Sequence, residues 1–161
     1  MGVGPLETLQ IWATVSTELS SRIFSKVSMN YRPKPIQVMA VDDDEFFLNL
    51  LEVNFESSPI LIECRTFTEG SKLLTEMIKC VPDLLITDWQ MPIMNGAEVL
   101  EQIFRTFDTS NLTILVVSSD EISNLRLSGL VPVGVEILHK NDPFERIKEI
   151  IHRISYGGNR I

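Results

Sequence analysis

From residue 36 onward, short apolar runs alternate regularly with longer amphipathic stretches, and this alternation restricts the fold more than any other feature. The apolar runs predict five strands, namely Ile36–Val41, Ile60–Phe67, Asp83–Thr87, Leu112–Val117 and Val133–Leu138. The amphipathic stretches predict five helices, namely Asp44–Glu56, Glu69–Cys80, Ala97–Phe107, Glu121–Leu127 and Phe144–Ile154. Strands that alternate with helices favour a parallel sheet covered on both faces. We therefore expect a doubly wound, five-stranded α/β fold.

The segment before this alternation has a different pattern. Apolar residues recur every three or four positions from Leu6 to Val27, which predicts an amphipathic helix. Pro33 and Pro35 then end the helix and form a short, stiff linker. An apolar stripe of this length is unfavourable in water, and the short linker makes folding back onto the same chain harder. We therefore expect either a homodimer contact through residues 6–28 or docking of this helix on a partner protein. An ordinary extra helix packed on its own domain is the alternative.

Length and charge narrow the function classes. The 161 residues suit one domain, which we expect at 36–155, after the helix and linker of 1–35 and before a tail at 156–161. The net charge is −8, and residues 36–161 carry the acidic excess. Nucleic-acid binding requires a positive surface, so it is not expected. The apolar runs are too short to span a membrane and no signal peptide is recognisable, so we predict a cytoplasmic location.

Polar side chains cluster where the predicted strands end. Asp42 and Asp43 follow the first strand, Asp88 the third, Ser118 the fourth and Lys140 the fifth. In an open parallel sheet the carboxyl ends of the strands form the ligand-binding edge, so these groups are expected to converge there.

The chemistry of these groups indicates phosphoryl transfer. Carboxylates that crowd one edge repel one another unless a cation binds, and a few oxygen ligands that leave room for water and phosphate suit Mg²⁺. A hydroxyl and an ammonium that face the same point are suitable partners for a phosphoryl group. A carboxylate beside the metal can then act as the nucleophile and form an acyl phosphate.

The motifs resemble the receiver domain of two-component response regulators. They are Val41-Asp42-Asp43, the run Asp88-Trp89-Gln90-Met91-Pro92-Ile93-Met94-Asn95-Gly96, then Ser118 and Lys140. The resemblance covers residues 36–154 and implies a flavodoxin-like sheet of strand order 2-1-3-4-5. It also implies a phosphorelay function, in which a histidine kinase or phosphotransfer protein is the donor and a downstream protein, which the sequence does not name, receives the signal.

The resemblance assigns roles to single residues. Asp88 is expected to accept the phosphoryl group, and Mg²⁺ to be held by Asp43, Asp88 and the backbone carbonyl of Gln90, with Asp42 acting through water. Ser118 and Lys140 are expected to contact the phosphoryl oxygens.

By the same resemblance, Gly96 permits a close turn into the following helix. The resemblance implies no enzymatic activity beyond the chain's own Mg²⁺-dependent aspartyl phosphorylation and dephosphorylation. The domain is expected either to act alone or to be part of a hybrid protein.

Two departures from the family pattern keep alternatives open. Lys140 is followed by Asn141-Asp142 before Pro143, whereas the family usually has proline directly after the lysine. Ile137 stands where the family usually has an aromatic switch residue. A pseudo-receiver that binds partners without phosphorylation is therefore one alternative. A phosphatase of the haloacid dehalogenase type, with Asp42 as its nucleophile, is a less favoured one.

Overall fold

Five parallel strands form one sheet in the structure, a computed structural model that describes residues 34–141 and 143–156. The strands are β1 (Ile36–Val41), β2 (Ile62–Phe67), β3 (Leu84–Asp88), β4 (Thr113–Ser118) and β5 (Glu136–His139). The helices are α1 (Glu45–Glu56), α2 (Gly70–Met77), α3 (Gly96–Thr106), α4 (Ile122–Leu127) and α5 (Phe144–Ser155). The order β2-β1-β3-β4-β5 confirms the predicted doubly wound fold.

The inner strands are apolar because helices cover both of their faces. In β3 every residue is buried, and β1 and β4 each have a single position that is not fully buried. Alternate side chains of these strands enter two separate cores. One core packs against α1 and α5, and the other packs against α2, α3 and α4. Strands buried on both faces explain the continuous apolar runs in the sequence.

Three elements differ from their predicted bounds by more than one residue. The strand predicted at Val133–Leu138 begins three residues later, because Gly134 has a φ of 93° and Val135 N–H closes a turn on Pro132. The helix predicted at Glu69–Cys80 ends at Met77, because Lys79 N and Cys80 N both bond to Glu76 O and close a turn after the helix. The second strand begins two residues later than predicted.

The predicted helix at Leu6–Val27 lies outside the described residues. The homodimer contact predicted through residues 6–28 lies outside them too. Among the described residues no helix is both long enough and apolar enough to cross a membrane.

Candidate functional site

The ends of four neighbouring strands, β1, β3, β4 and β5, bring the predicted site residues to one edge of the sheet. Asp88 is the last residue of β3 and pairs in register with Val117, one position before the end of β4. Ser118 is the last residue of β4, and its carbonyl accepts a hydrogen bond from Lys140 N over 2.8 Å. Asp42 directly follows β1, which pairs with β3. The sheet register therefore sets the spacing of these groups.

Three carboxylates form a compact acidic cluster at this edge. One oxygen each of Asp42, Asp43 and Asp88 lies within 4.8 Å of the others. Asp42 and Asp88 are 1% and 5% exposed, whereas Asp43 is exposed. Two like charges at this separation repel by about 3–4 kcal/mol at an effective dielectric constant near 20. A cluster of oxygen donors that are partly open to solvent fits a hard divalent cation such as Mg²⁺.

Lys140 supplies a positive charge inside the cluster. Its Nζ lies 2.7 Å from Asp42 Oδ2 and 3.3 Å from Asp88 Oδ2, and its side chain is 16% exposed. Burial raises the pKa of Asp42 to about 6, although the ammonium opposes this rise. Burial also raises the pKa of Asp88, and the charge of Lys140 is the largest opposing influence. The lysine thus stabilises two carboxylates that their surroundings would otherwise tend to protonate.

Backbone N–H groups fix the orientation of the carboxylates. Asp42 Oδ1 accepts from Asp44 N over 2.9 Å, and Asp88 Oδ1 accepts from Trp89 N over 2.7 Å. Asp44 is the N-cap of α1 and accepts from Phe46 N and Phe47 N. In the run Asp42-Asp43-Asp44, two carboxylates therefore lie at the site and the third caps the helix.

The turn after Asp88 is as close as the sequence predicted. A Cβ atom on Gly96 would lie 2.4 Å from the carbonyl oxygen of Asp88, so no other residue fits without displacing this backbone. Asn95 and Glu98 form a capping box that starts α3 at this point.

The structure also brings in a residue that the sequence analysis did not select. Asp120 N donates to Ser118 Oγ over 3.1 Å, and Asp120 Oδ2 accepts from Gln90 Nε2 over 2.7 Å. Because Ser118 Oγ acts as an acceptor here, its own hydroxyl proton is free to be donated. The sequence contained one indication of this contact. Gln90 lies two residues after the end of β3, and Asp120 lies two residues after the end of the adjacent strand β4.

A cavity of about 510 Å³ opens beside the acidic cluster. Its lining includes Asp43, Trp89 and Gln90, together with Pro92 and Leu130. This edge of the sheet is therefore accessible from solvent at Asp43.

Position 137 and the aromatic residue near Lys140 lie on opposite sides of the sheet. Ile137 is 4% exposed and belongs to the core under α2, α3 and α4. Phe47 belongs to the core under α1 and α5, and its ring centroid lies 5.2 Å from Lys140 Nζ. The lysine thus has an aromatic neighbour, although none stands at position 137.

Comparisons with known proteins agree with this geometry. The sequence profile of the response regulator receiver domain matches residues 38–152. A protein-glutamate methylesterase/protein-glutamine glutaminase of Pseudomonas syringae pv. syringae is 28% identical over 108 residues, which are 66% of this chain and 27% of that protein. Hybrid signal transduction histidine kinase D of Dictyostelium discoideum is 28% identical over 137 residues, which are 85% of this chain and 8% of that protein.

Solved structures give the same fold. A two-component response regulator from Cytophaga hutchinsonii superposes with a TM-score of 0.66 at 16% identity, covering 75% of this chain and 98% of that one. The chain spans only 27% or less of the two curated relatives named above, so the match concerns one domain of longer proteins. Since the matched region includes every strand-end residue described here, this chain belongs to the receiver domains of response regulators, the phosphorelay modules of two-component signalling.

Proposed function

We propose that this receiver is phosphorylated on Asp88 by a phosphohistidine of a histidine kinase or phosphotransfer protein. The observation that carries the proposal is the place of Lys140, whose ammonium is in contact with both Asp42 and Asp88 at the centre of the acidic cluster. A structural ion pair would need one carboxylate, whereas charge stabilisation of a transferring phosphoryl group needs a cation beside the nucleophile.

The proposed metal site consists of Asp43, Asp88 and the backbone carbonyl of Gln90, with Asp42 acting through water. Bound Mg²⁺ would neutralise the charge that gathers on the phosphoryl oxygens during transfer. The chain's own carboxylates provide oxygen ligands within 4.8 Å of one another, and Asp43 leaves the site open on its solvent side.

The protein groups then hold and orient the reacting atoms. Asp88 attacks phosphorus, the new bond joins phosphorus to a carboxylate oxygen, and the bond between phosphorus and the donor nitrogen breaks. Trp89 N–H donates a hydrogen bond to Asp88 Oδ1 and thereby fixes the orientation of the carboxylate. After transfer, Ser118 donates its hydroxyl proton to one phosphoryl oxygen and Lys140 pairs with another.

The two alternatives are less well supported. A phosphatase of the haloacid dehalogenase type would use Asp42 as its nucleophile, but this side chain is only 2% exposed. Its Oδ1 accepts from Asp44 N and its Oδ2 pairs with Lys140. A pseudo-receiver would have no need for the complete acidic cluster and lysine that converge here.

The remaining parts of the proposal concern the protein's surroundings. We propose that the chain acts in the cytoplasm, switches its contacts with a downstream protein on phosphorylation, and catalyses only its own phosphorylation and dephosphorylation.

The homodimer through residues 6–28 stays a prediction, which sedimentation of the full chain against a variant that starts at Pro33 would test. Monomers in both samples at equal concentration would contradict it.

The experiment for the phosphoryl acceptor uses acetyl phosphate and Mg²⁺ with intact mass measurement. We expect one added phosphoryl group that hydroxylamine removes, and no addition in Asp88→Asn. Asp44→Asn is the matched control, because Asp44 is a nearby carboxylate that caps α1 and should leave labelling unchanged. Undiminished labelling of Asp88→Asn would overturn the assignment, and loss of labelling only in Asp42→Asn would favour the phosphatase.

A further inference from the structure

The ring of Phe47 lies against the ammonium of Lys140, a contact to which the proposed function assigns no role. Lys140 Nζ is 5.2 Å from the ring centroid, within the distance of about 6 Å at which the π face of an aromatic ring attracts a cation. The same nitrogen lies 2.7 Å from Asp42 and 3.3 Å from Asp88. The ammonium therefore has an aromatic face as a neighbour in addition to two carboxylates.

Phe47 is itself held in place from two directions. Its backbone N–H lies 3.4 Å from Asp44 Oδ1, the capping oxygen at the start of α1. Its ring stacks on Phe144 at the start of α5, with the centroids 6.1 Å apart and the planes inclined by 30°. The side chain is 6% exposed, so little water screens its contact with the ammonium. The ring of Phe47 is thus held in one position beside the long side chain of Lys140.

We propose that Phe47 is a positioning residue for phosphoryl transfer, and that its ring face holds the Lys140 ammonium within reach of Asp88. The inference rests on the proposed phosphorylation of Asp88. Asp42 lies closer to the ammonium than Asp88 does, so the two carboxylates alone favour a position at Asp42. The ring face of Phe47 is a third attractive group, and it restricts the rotamers of the Lys140 side chain. Less side-chain entropy is then lost when the ammonium is ordered in the transition state.

The experiment weakens the π face while keeping the shape of the side chain. In the full chain, Phe47 is replaced by 4-fluoro-, 3,5-difluoro- and 3,4,5-trifluorophenylalanine, and the rate constant of phosphorylation by acetyl phosphate with Mg²⁺ is measured. We expect a monotonic fall of about threefold to tenfold across the series. Phe47→Tyr, which keeps a π face, should retain more of the rate than Phe47→Leu.

The matched control is the same fluorine series at Phe55. This residue lies on the same helix about 12 Å further along, is 7% exposed and packs in the same core. A merely structural role of the ring would give similar effects at both positions. No trend at Phe47, or an equal trend at Phe55, would overturn the proposal.

A second measurement does not depend on phosphorylation. In the unphosphorylated protein, the ε-methylene protons of Lys140 should show an upfield ring-current shift that decreases along the Phe47 series and is lost in Phe47→Leu. An unshifted signal in the unmodified protein would overturn the proposal. If the unmodified protein shows the shift but is never phosphorylated, the proposed acceptor function fails while the positioning of Lys140 by Phe47 stands.

Discussion

The side-chain amide of Gln90 donates a hydrogen bond to Asp120 Oδ2 over 2.7 Å and thereby joins the loop after β3 to the loop after β4. Asp120 N in turn donates to Ser118 Oγ over 3.1 Å. The residue whose backbone carbonyl is proposed as a metal ligand and the hydroxyl proposed as a phosphoryl contact are thus connected through two hydrogen bonds, of which the one between side chains is exposed.

Breaking this connection should slow phosphorylation. In Gln90→Met the backbone carbonyl remains but the amide donor is lost, so the loop that carries Ser118 is held less firmly. We expect the rate constant with acetyl phosphate to fall by about 2- to 5-fold, as for the loss of one exposed hydrogen bond to a charged acceptor. Asp120→Asn keeps an acceptor oxygen and should retain the rate. An unchanged rate in Gln90→Met would show that the two loops act independently.

Magnesium should stabilise the folded protein, because it relieves the repulsion among Asp42, Asp43 and Asp88. At ten times its dissociation constant a ligand contributes about 1.4 kcal/mol, which corresponds to a rise in Tm of about 2–6 °C for a domain of this size. Asp43→Asn should raise Tm without the metal and lose the response to it, whereas Asp44→Asn should keep the response. Thermal unfolding with EDTA and with Mg²⁺ makes the comparison, and an unresponsive unmodified protein would contradict the metal site.

The stability of the metal-free protein should depend on pH through Asp42. Because its pKa rises to about 6 in the folded state, from 3.8 in the unfolded chain, the folded protein binds a proton more tightly. The contribution of Asp42 to the free energy of unfolding is therefore full below about pH 4 and is lost as the pH rises through 6. In Asp42→Asn this loss is absent, so its stability relative to the unmodified protein should increase from pH 4 to pH 7, by about 2–3 kcal/mol. Urea unfolding in EDTA at several pH values measures this difference, and a constant difference would refute the role of Asp42.

Relief of backbone strain at Ile93 should stabilise the protein. Among the described residues Ile93 alone combines a side chain with a positive φ, of 72°, and it is 98% exposed. A β-branched residue is strained in this conformation, whereas asparagine adopts it more readily. We expect Ile93→Asn to raise the free energy of unfolding by about 1 kcal/mol, seen as a higher urea midpoint with an unchanged slope. Val133→Asn is the control, since Val133 is fully exposed but has no positive φ. An equal gain there would show that the loss of an exposed apolar side chain, and not the backbone conformation, causes the effect.

The order of elements and the edge that carries the site could be predicted from the sequence. Apolar runs such as Leu84–Ile86 occur only where both faces of a strand are covered, and parallel strands bring their carboxyl ends to one edge. Asp42, Asp88, Ser118 and Lys140 therefore had to converge, whatever the details of the loops. The bounds of β5 were less predictable, because Gly134 and the turn at Pro132 start the strand three residues later than its apolar residues predict.

Only the tertiary structure decided which groups touch one another at that edge. Periodicity marked Phe47 as a core residue of α1, but the stacking of α1 on α5 through Phe144 sets its ring against the Lys140 ammonium. The contact between Gln90 and Asp120 likewise joins residues 30 positions apart. Hydrophobic patterning depends on which face of an element is covered, so it can be read along the chain. Contacts of a few ångströms between loops and side chains depend on how separate elements are rotated and packed, which no local pattern of residues encodes.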